Sequence, residues 1–383
     1  MTNDLVPAHR ADLPVVAEGN DKTLVMVAAG GTGGHLFPAE SLSAALSKRG
    51  IATALATDNR AAKYNDHFKS VYVIPSETFR GRDPISIMRA GSTLAYGLFK
   101  AVTMMRQVRP SVVVGFGGYP SVPPVLAASL LKIPTVLHEQ NAVMGRANRF
   151  LAARVNVIAT GFAGVTDKNK ALAIKTTCIG NPLRPAVLAA AGTPFAPVEP
   201  NGPLHMLVFG GSQGARIMAD IVPPAVAKLP PHLQMRLKIT QQVREEDIPR
   251  VRDIYTSAQV AHDIAPFFTD LPARMAASHL VVSRSGAGTV AELSAIGRPG
   301  ILVPLPHALD QDQAANAGVL EKAGGAIRIL QKDFTPDRLA AEIDALSADP
   351  DRLATMAARA KAIGVLDAAD RLADLVLKVA RAN

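Results

Sequence analysis

Short apolar runs alternate along this chain with stretches of helical periodicity. In the first half the runs are TLVMVAA (23–29), IATALAT (51–57), SVYVIPS (70–76), SVVVGFG (111–117), PTVLHEQ (134–140) and VNVIAT (155–160). After Gly180 come HMLVFGG (205–211), RLKITQQ (236–242), HLVVSRS (279–285) and PGILVPL (299–305). Most neighbouring runs are far enough apart for a crossover helix, so the pattern predicts parallel βαβ units. The segment AAGTPFAPVEPNGP (190–203) has no period and is rich in Pro, Gly and Ala, which marks an interdomain linker. The same device stands on both sides of it. TLVMVAAGGTGGH (23–35) and LHMLVFGGSQGAR (204–216) each run a strand through a glycine-rich turn into a helix. The expected fold class is α/β, with two related doubly wound domains whose ligand sites lie at the carboxyl ends of parallel strands.

Length and composition agree with this. A chain of 383 residues exceeds one comfortable hydrophobic core, and 48% hydrophobic residues suffice for two. The single cysteine, Cys178, excludes a disulfide framework and a Cys-rich metal site, and is expected to be a buried small hydrophobe. Residues 1–21 carry scattered acids and no apolar core of signal-peptide length, so they are expected to form a loose tail. No window is apolar enough to span a membrane. Charge is uneven: residues 1–180 hold 20 Lys+Arg against 11 Asp+Glu, whereas 181–383 hold 21 of each. This asymmetry suggests that the first domain faces a polyanion or an anionic membrane.

Glycine-rich turns that open a helix let the backbone approach a ligand and aim free N–H groups at a phosphate. The dinucleotide fingerprint nearly fits at Gly31-Thr32-Gly33, but Leu36 occupies its third glycine position. Asp58 is placed to imitate a ribose-binding acid, and neither turn has a Walker-type lysine. Nicotinamide chemistry therefore stays open and P-loop hydrolysis is set aside.

Seven segments decide further by their order: GGTGGHLFPA (30–39), FGGYPSVPP (116–124), HEQNAVMGRANR (138–149), GNPLR (180–184), FGGSQGAR (209–216), SRSGAGTVAEL (283–293) and DQDQAANA (310–317). Together they resemble the MurG family of bacterial peptidoglycan N-acetylglucosaminyltransferases, in glycosyltransferase family 28, over roughly residues 22–380. The sequence departs from the family pattern at Val122, often Gly, and at Met144, often Pro. The resemblance implies a GT-B fold, with two Rossmann-like domains facing across a cleft. The domains would be 22–181 for the acceptor and membrane side, 182–203 as linker, 204–362 for UDP-GlcNAc, and 363–383 as a helix returning to the first domain. The implied reaction is inverting transfer of GlcNAc from UDP-GlcNAc to the C4 hydroxyl of MurNAc in lipid I, giving lipid II. No cofactor, no metal and no nucleic acid are implied. The implied location is peripheral, on the cytoplasmic face of the inner membrane, with cell-wall synthesis proteins as candidate partners.

Such a displacement needs a base near the attacking hydroxyl and positive potential near the departing diphosphate. His35, closing the first glycine run, is the candidate base, and Glu139 is a further cleft carboxylate that either takes the proton or orients a neighbour. On the donor side the resemblance implies Thr32, Gly33, Gly34, Asn141, Arg184, Ser212, Gly214, Phe268, Ser285, Gly286, Thr289, Glu292, Gln313 and Asn316. Glu292 suits the ribose hydroxyls, Ser212 and Arg184 the diphosphate, Phe268 the uracil pocket, and Gln313, Asn316 and Asn141 the sugar. Arg80, Gly81, Arg82 and Tyr119 are candidates for the acceptor. Asp310 and Asp312 also form a D-x-D pair of the kind that holds a divalent cation beside a diphosphate. Segment 79–109 combines Arg80, Arg82, Arg89, Lys100, Arg106 and Arg109 with Ile87, Leu94, Leu98, Val102 and Met105 at helical spacing. It fits either an anionic leaflet or an ordinary core-facing helix. Two other functions remain open: transfer to another lipid acceptor such as diacylglycerol, and non-catalytic binding of a nucleotide sugar.

Overall fold

The computed structural model describes residues 23–30, 33–59, 68–76, 84–199, 201–211, 214–306 and 311–382, and side chains within them except those of 84–90. The tail 1–21, Thr32, Arg80, Gly81, Arg82, Ser212, Asp310 and the side chains of Ile87 and Arg89 lie outside the described residues.

The first half contains β1 (Leu24–Ala28), α1 (Gly33–Ser47), β2 (Ala52–Thr57), β3 (Ser70–Val73), α2 (Pro84–Val108), β4 (Val112–Gly115), α3 (Val122–Leu130), β5 (Thr135–Glu139), α4 (Arg146–Ala152), β6 (Val157–Thr160), α5 (Lys170–Ala173), β7 (Thr176–Cys178) and α6 (Pro185–Ala190). Its seven strands form one parallel sheet in the order β3-β2-β1-β4-β5-β6-β7. The second half contains β8 (Leu204–Phe209), α7 (Arg216–Ala227), α8 (Pro231–Arg236), β9 (Leu237–Gln242), α9 (Ile248–Ser257), β10 (Ala261–Ala265), α10 (Leu271–Ala276), β11 (Leu280–Ser283), α11 (Ala287–Ile296), β12 (Gly300–Leu302), α12 (Asp312–Lys322), β13 (Ala326–Arg328), α13 (Pro336–Ser347), α14 (Pro350–Ala362) and α15 (Ala368–Arg381). Its sheet runs β10-β9-β8-β11-β12-β13, again parallel.

The strands are apolar throughout because both sheet faces are covered. Val25 and Val27 of β1 pack with Leu36 and Leu42 of α1, while Met26 and Ala28 pack on the other face with Met105 of α2 and Val125 of α3. In β8, Met206 and Val208 join one core and Leu207 and Phe209 the other. This is the period of two expected of a strand buried on both sides. Each Val, Leu, Met or Phe side chain among them contributes about 1.5–3 kcal/mol by leaving water.

In α2, Leu94, Leu98, Val102 and Met105 pack against the first sheet's core, so this apolar stripe is a core face and not a leaflet-facing one. Its outer face exposes Tyr96 and Phe99, with Lys100 above the Tyr96 ring at 5.0 Å. Cys178 is exposed rather than buried: it ends β7, the strand at the sheet's edge. Among the described residues no helix is long and apolar enough to cross a membrane.

The chain crosses between the halves twice. On the first crossing, α6 packs Val187 and Ala190 into a core of the second half. Lys361 Nζ then donates to Ala191 O (2.6 Å), and Arg298 Nη2 donates to Pro194 O (3.0 Å). Arg298 is 1% exposed and spends its donors on backbone carbonyls at the ends of α10 and α11 and in the crossing segment. On the second crossing the chain returns, and α15 seats Leu372, Ala373 and Val376 beneath α1. The two passages touch at Gly180 (φ 87°), where a Cβ would stand 2.8 Å from Val365.

Candidate active site

In a doubly wound sheet the crevice opens where the strand order reverses, at the carboxyl ends of the two central strands. Here those pairs are β1 with β4 and β8 with β11, and the loops after all four carry the sequence motifs.

After β1 the chain turns into α1, and His35 lies in that helix's first turn. Its Nδ1 is 3.0 Å from Phe116 O, the loop after β4. A carbonyl only accepts, so Nδ1 carries the hydrogen and Nε2 keeps its lone pair. The Gln140 amide donates to the same carbonyl at 3.0 Å and holds this arrangement from β5. Nε2 faces Gly118 (φ 72°), where a Cβ would come within 3.5 Å of it. Tyr119 follows directly in the same turn. Burial lowers the His35 pKa below 6.5, opposed by the bond to Phe116 and by the charge of Asp312. Neutral imidazole is therefore the resting form at pH 7, with the basic nitrogen toward the loop.

Glu139 points the other way from β5. It is 3% exposed; Oε1 accepts from Asn141 N (2.9 Å) and Nδ2 (3.3 Å), and Oε2 from Gly145 N (3.0 Å) and Asn148 Nδ2 (2.9 Å). Burial raises its pKa, against these four bonds. A carboxylate with both oxygens engaged by the 141–148 loop is built to hold that loop, so of the two roles open to Glu139 the geometry fits orientation and not proton transfer.

The loop in turn meets the second half. Ala142 N donates to Asn316 Oδ1 (2.8 Å), and Asn316 Nδ2 donates to Asn141 Oδ1 (3.0 Å) and Ser285 O (3.2 Å). Ser285 Oγ donates to Gln313 O (2.8 Å), and Gln313 Oε1 accepts from Leu305 N (3.0 Å). Asn316, completely buried, thus ties the halves together. Gly286 caps α11, whose first turns carry Thr289 and Glu292.

Glu292 Oε1 accepts from Arg184 Nη2 at 2.9 Å, and burial raises the carboxyl's pKa while Arg184 pulls it down. The guanidinium also lies over the Phe37 ring of α1, 4.6 Å from its centre. Gly33 leaves room for that ring: a Cβ there would stand 3.0 Å from it. Gly34, beside it in the first turn, is exposed. After β8, Gly210 N is held by Gln242 Oε1 (3.2 Å), and Gly214 (φ 67°) packs against Arg244.

Phe268 lies in the loop between β10 and α10. Its ring is buried with the Arg274 guanidinium 4.2 Å above it, whereas Phe267 is 62% exposed. Four residues were not singled out in advance: Phe37, Gln140, Asn148 and Arg244. The first three lie inside quoted motifs; Phe37 and Gln140 meet partners distant in sequence, whereas Asn148 bonds His138 and Glu139 of its own motif.

Two family models match the chain: the glycosyltransferase family 28 N-terminal domain over residues 25–160 and its C-terminal domain over 205–372. The chain belongs to glycosyltransferase family 28. A Rhodopseudomonas palustris (strain BisA53) protein named UDP-N-acetylglucosamine–N-acetylmuramyl-(pentapeptide) pyrophosphoryl-undecaprenol N-acetylglucosamine transferase is 61% identical over 359 residues, 93% of this chain and 96% of that one. A protein of the same name from Nitrobacter hamburgensis is 61% identical, covering 94% and 97%. The crystal structure of Acinetobacter baumannii MurG superposes with a TM-score of 0.77 at 28% identity, covering 93% of this chain and 99% of that one. A Neisseria meningitidis UDP-GlcNAc 2-epimerase bound to UDP-GlcNAc shares the fold alone, with a TM-score of 0.66 at 14% identity. The family 28 chain therefore has the GT-B fold that its motifs led us to expect.

Proposed function

We propose that this family 28 enzyme transfers GlcNAc from UDP-GlcNAc to the C4 hydroxyl of MurNAc in undecaprenyl-pyrophosphoryl-MurNAc-pentapeptide, converting lipid I to lipid II. The observation that carries the reading is identity of about 60% along nearly the whole chain to transferases of that name. The cleft geometry supports it. His35 Nε2 takes the proton of the acceptor hydroxyl, whose oxygen attacks the anomeric carbon. The bond from that carbon to the diphosphate oxygen breaks on the opposite side, and UDP leaves with the electron pair, so the configuration inverts. Arg184 and the N–H groups that open α7 and α11 receive the diphosphate charge. Glu292 exchanges part of its contact with Arg184 for the ribose hydroxyls. Glu139 and Asn141 shape the loop that closes over the donor sugar.

We also infer that the enzyme works at the cytoplasmic face of the inner membrane, where its acceptor is anchored. The net charge of +9 in residues 1–180 and the exposed Tyr96, Phe99 and Lys100 of α2 support contact with anionic lipid. Cell-wall synthesis proteins are candidate partners there. The deciding assay is transfer of radiolabelled GlcNAc from UDP-GlcNAc to a short-chain lipid I analogue, with EDTA present and diacylglycerol as the control acceptor. Labelled disaccharide-lipid should form with the analogue alone. Label in the diacylglycerol arm, or none in either despite UDP-GlcNAc binding, would defeat the reading.

A further inference from the structure

Arg184 stands where the chain passes from one half of the molecule to the other. It caps α6, and in the proposed reaction its guanidinium receives the diphosphate charge. A cation on a long, flexible stem meets a ligand well only if it is oriented beforehand, because ordering it during binding costs affinity. Polar partners do little of that here. Nη2 donates to Glu292 Oε1 at 2.9 Å, and Nε is buried with no hydrogen-bond partner among the described residues. In the proposed reaction Glu292 gives up part of even this bond to the ribose hydroxyls, so the guanidinium needs a second hold.

The first half of the molecule provides one. Phe37 of α1 places its ring centre 4.6 Å from the guanidinium carbon, within the reach of a cation–π contact. The backbone beneath the ring is anchored, since buried Ser41 donates from Oγ to Phe37 O at 2.8 Å. Space for the ring comes from Gly33, its neighbour at i−4 on the helix surface. A Cβ at Gly33 would stand 3.0 Å from Cε2 and 3.1 Å from Cζ of Phe37 and press the ring out of place. Arg184 thus lies between a ring from α1 and a carboxylate from α11, one from each half.

We propose that Phe37 is a positioning residue for the donor diphosphate: its ring holds the Arg184 guanidinium in place when Glu292 turns to the ribose. A ring suits this task better than a second carboxylate would. It offers no strong acceptor to occupy the remaining guanidinium N–H groups, and it does not neutralise the charge that the diphosphate is to meet. The consequence is that the leaving-group site is completed across the cleft, by the same turn of α1 that carries His35. The inference rests on the proposed donor site for its purpose; the contact between ring and guanidinium does not.

The test is binding of UDP and of uridine to the full-length protein by calorimetry, in wild type, Phe37→Leu, Arg184→Gln and the double variant. Phe37→Leu should raise Kd for UDP about two- to thirtyfold, the span of a cation–π contact, and leave binding of uridine, which has no diphosphate, unchanged. In the Arg184→Gln background Phe37→Leu should cost nothing further. A fluorinated phenylalanine at position 37 keeps the ring's shape and withdraws negative charge from its face, so it should weaken UDP binding in the same direction without loss of Tm. Equal losses for UDP and uridine, a UDP loss that persists in the Arg184→Gln background, or fluorination without effect would be the result of packing alone and would overturn the proposal. A protein that shows this coupling with UDP yet transfers no GlcNAc to the lipid I analogue upholds the proposal and overturns the transferase reading.

Discussion

After β1 the chain turns through Gly30 into α1 and sets His35 in the helix's first turn; after β8 it turns through Gly210, Gly211 and Gly214 into α7 and sets Arg216 there. The backbone device is the same, but the furnishing differs. His35 is bonded to a backbone carbonyl that also accepts from the Gln140 amide, both neutral groups, in a partly dehydrated pocket. Around the second turn are Arg216, 72% exposed, and Arg244, packed on Gly214, both open to water. In the proposed reaction the neutral, partly dehydrated setting suits a base, and the cationic, wet one suits a diphosphate. Two glutamates show the same division: buried Glu139 is satisfied by four neutral donors and stays in place, while half-buried Glu292 is held by one cation that a ligand can compete for.

The largest effect should come from the first turn. His35→Ala should lower kcat by about 10²–10⁴, the range for a general base, with UDP affinity by calorimetry nearly unchanged. Unaltered turnover would remove the functional contrast between the turns.

Glu139→Ala should act mainly on stability. It leaves several buried donors without an acceptor, each costing about 1–3 kcal/mol, and should lower Tm clearly. Glu139→Gln should keep transfer within about tenfold of wild type, below the usual contribution of a general base. A Gln variant that folds normally and loses turnover as completely as His35→Ala would make Glu139 the base after all.

For Glu292→Ala the expected loss is in donor binding, about ten- to a hundredfold in Kd for UDP, as for a hydrogen bond to a charged group, with kcat altered less. Equal affinity for UDP would mean that Glu292 serves only Arg184.

The contrast between the two turns was only half legible in the chain. Strands β1, β4, β8 and β11 announce themselves because both faces are buried and nearly every position is apolar. The edge strands β7 (TTC) and β10 (AHDIA), and the three-residue β13 (AIR), carry no such pattern: an edge strand is covered less and tolerates polar residues. Cys178 was misjudged for that reason. His35, Arg184 and Glu292 could be nominated because each sits in a motif whose residue types suit the chemistry. Gln140 and Phe37 could not: their roles come from the meeting of residues 35, 116 and 140, and of 37 with 184. At the end of β5, Glu139 and the next residue, Gln140, point to opposite sides, one into a loop and one toward the base, a difference that their adjacency conceals.

The smallest effect, and the most discriminating between a tuned base and a bystander histidine, concerns pH. Burial lowers the His35 pKa below 6.5, and the working form is the neutral ring. Activity governed by His35 should therefore stay on its plateau above pH 6.5, keep more than half of it at pH 6.5, and fall only as pH drops through the lowered pKa. His138, whose pKa burial lowers to about 4, contributes stability that is complete above pH 6.5 and lost as pH falls toward 4. The two can be told apart by following kcat and Tm over the same acid range. A decline in transfer at a pH where Tm is still on its plateau is the outcome expected of a tuned base. If kcat and Tm fell together, the acid limb would report the collapse of the β5–Gly180 contact that His138 makes, and the claim that the first turn is tuned for proton transfer would lose its pH support.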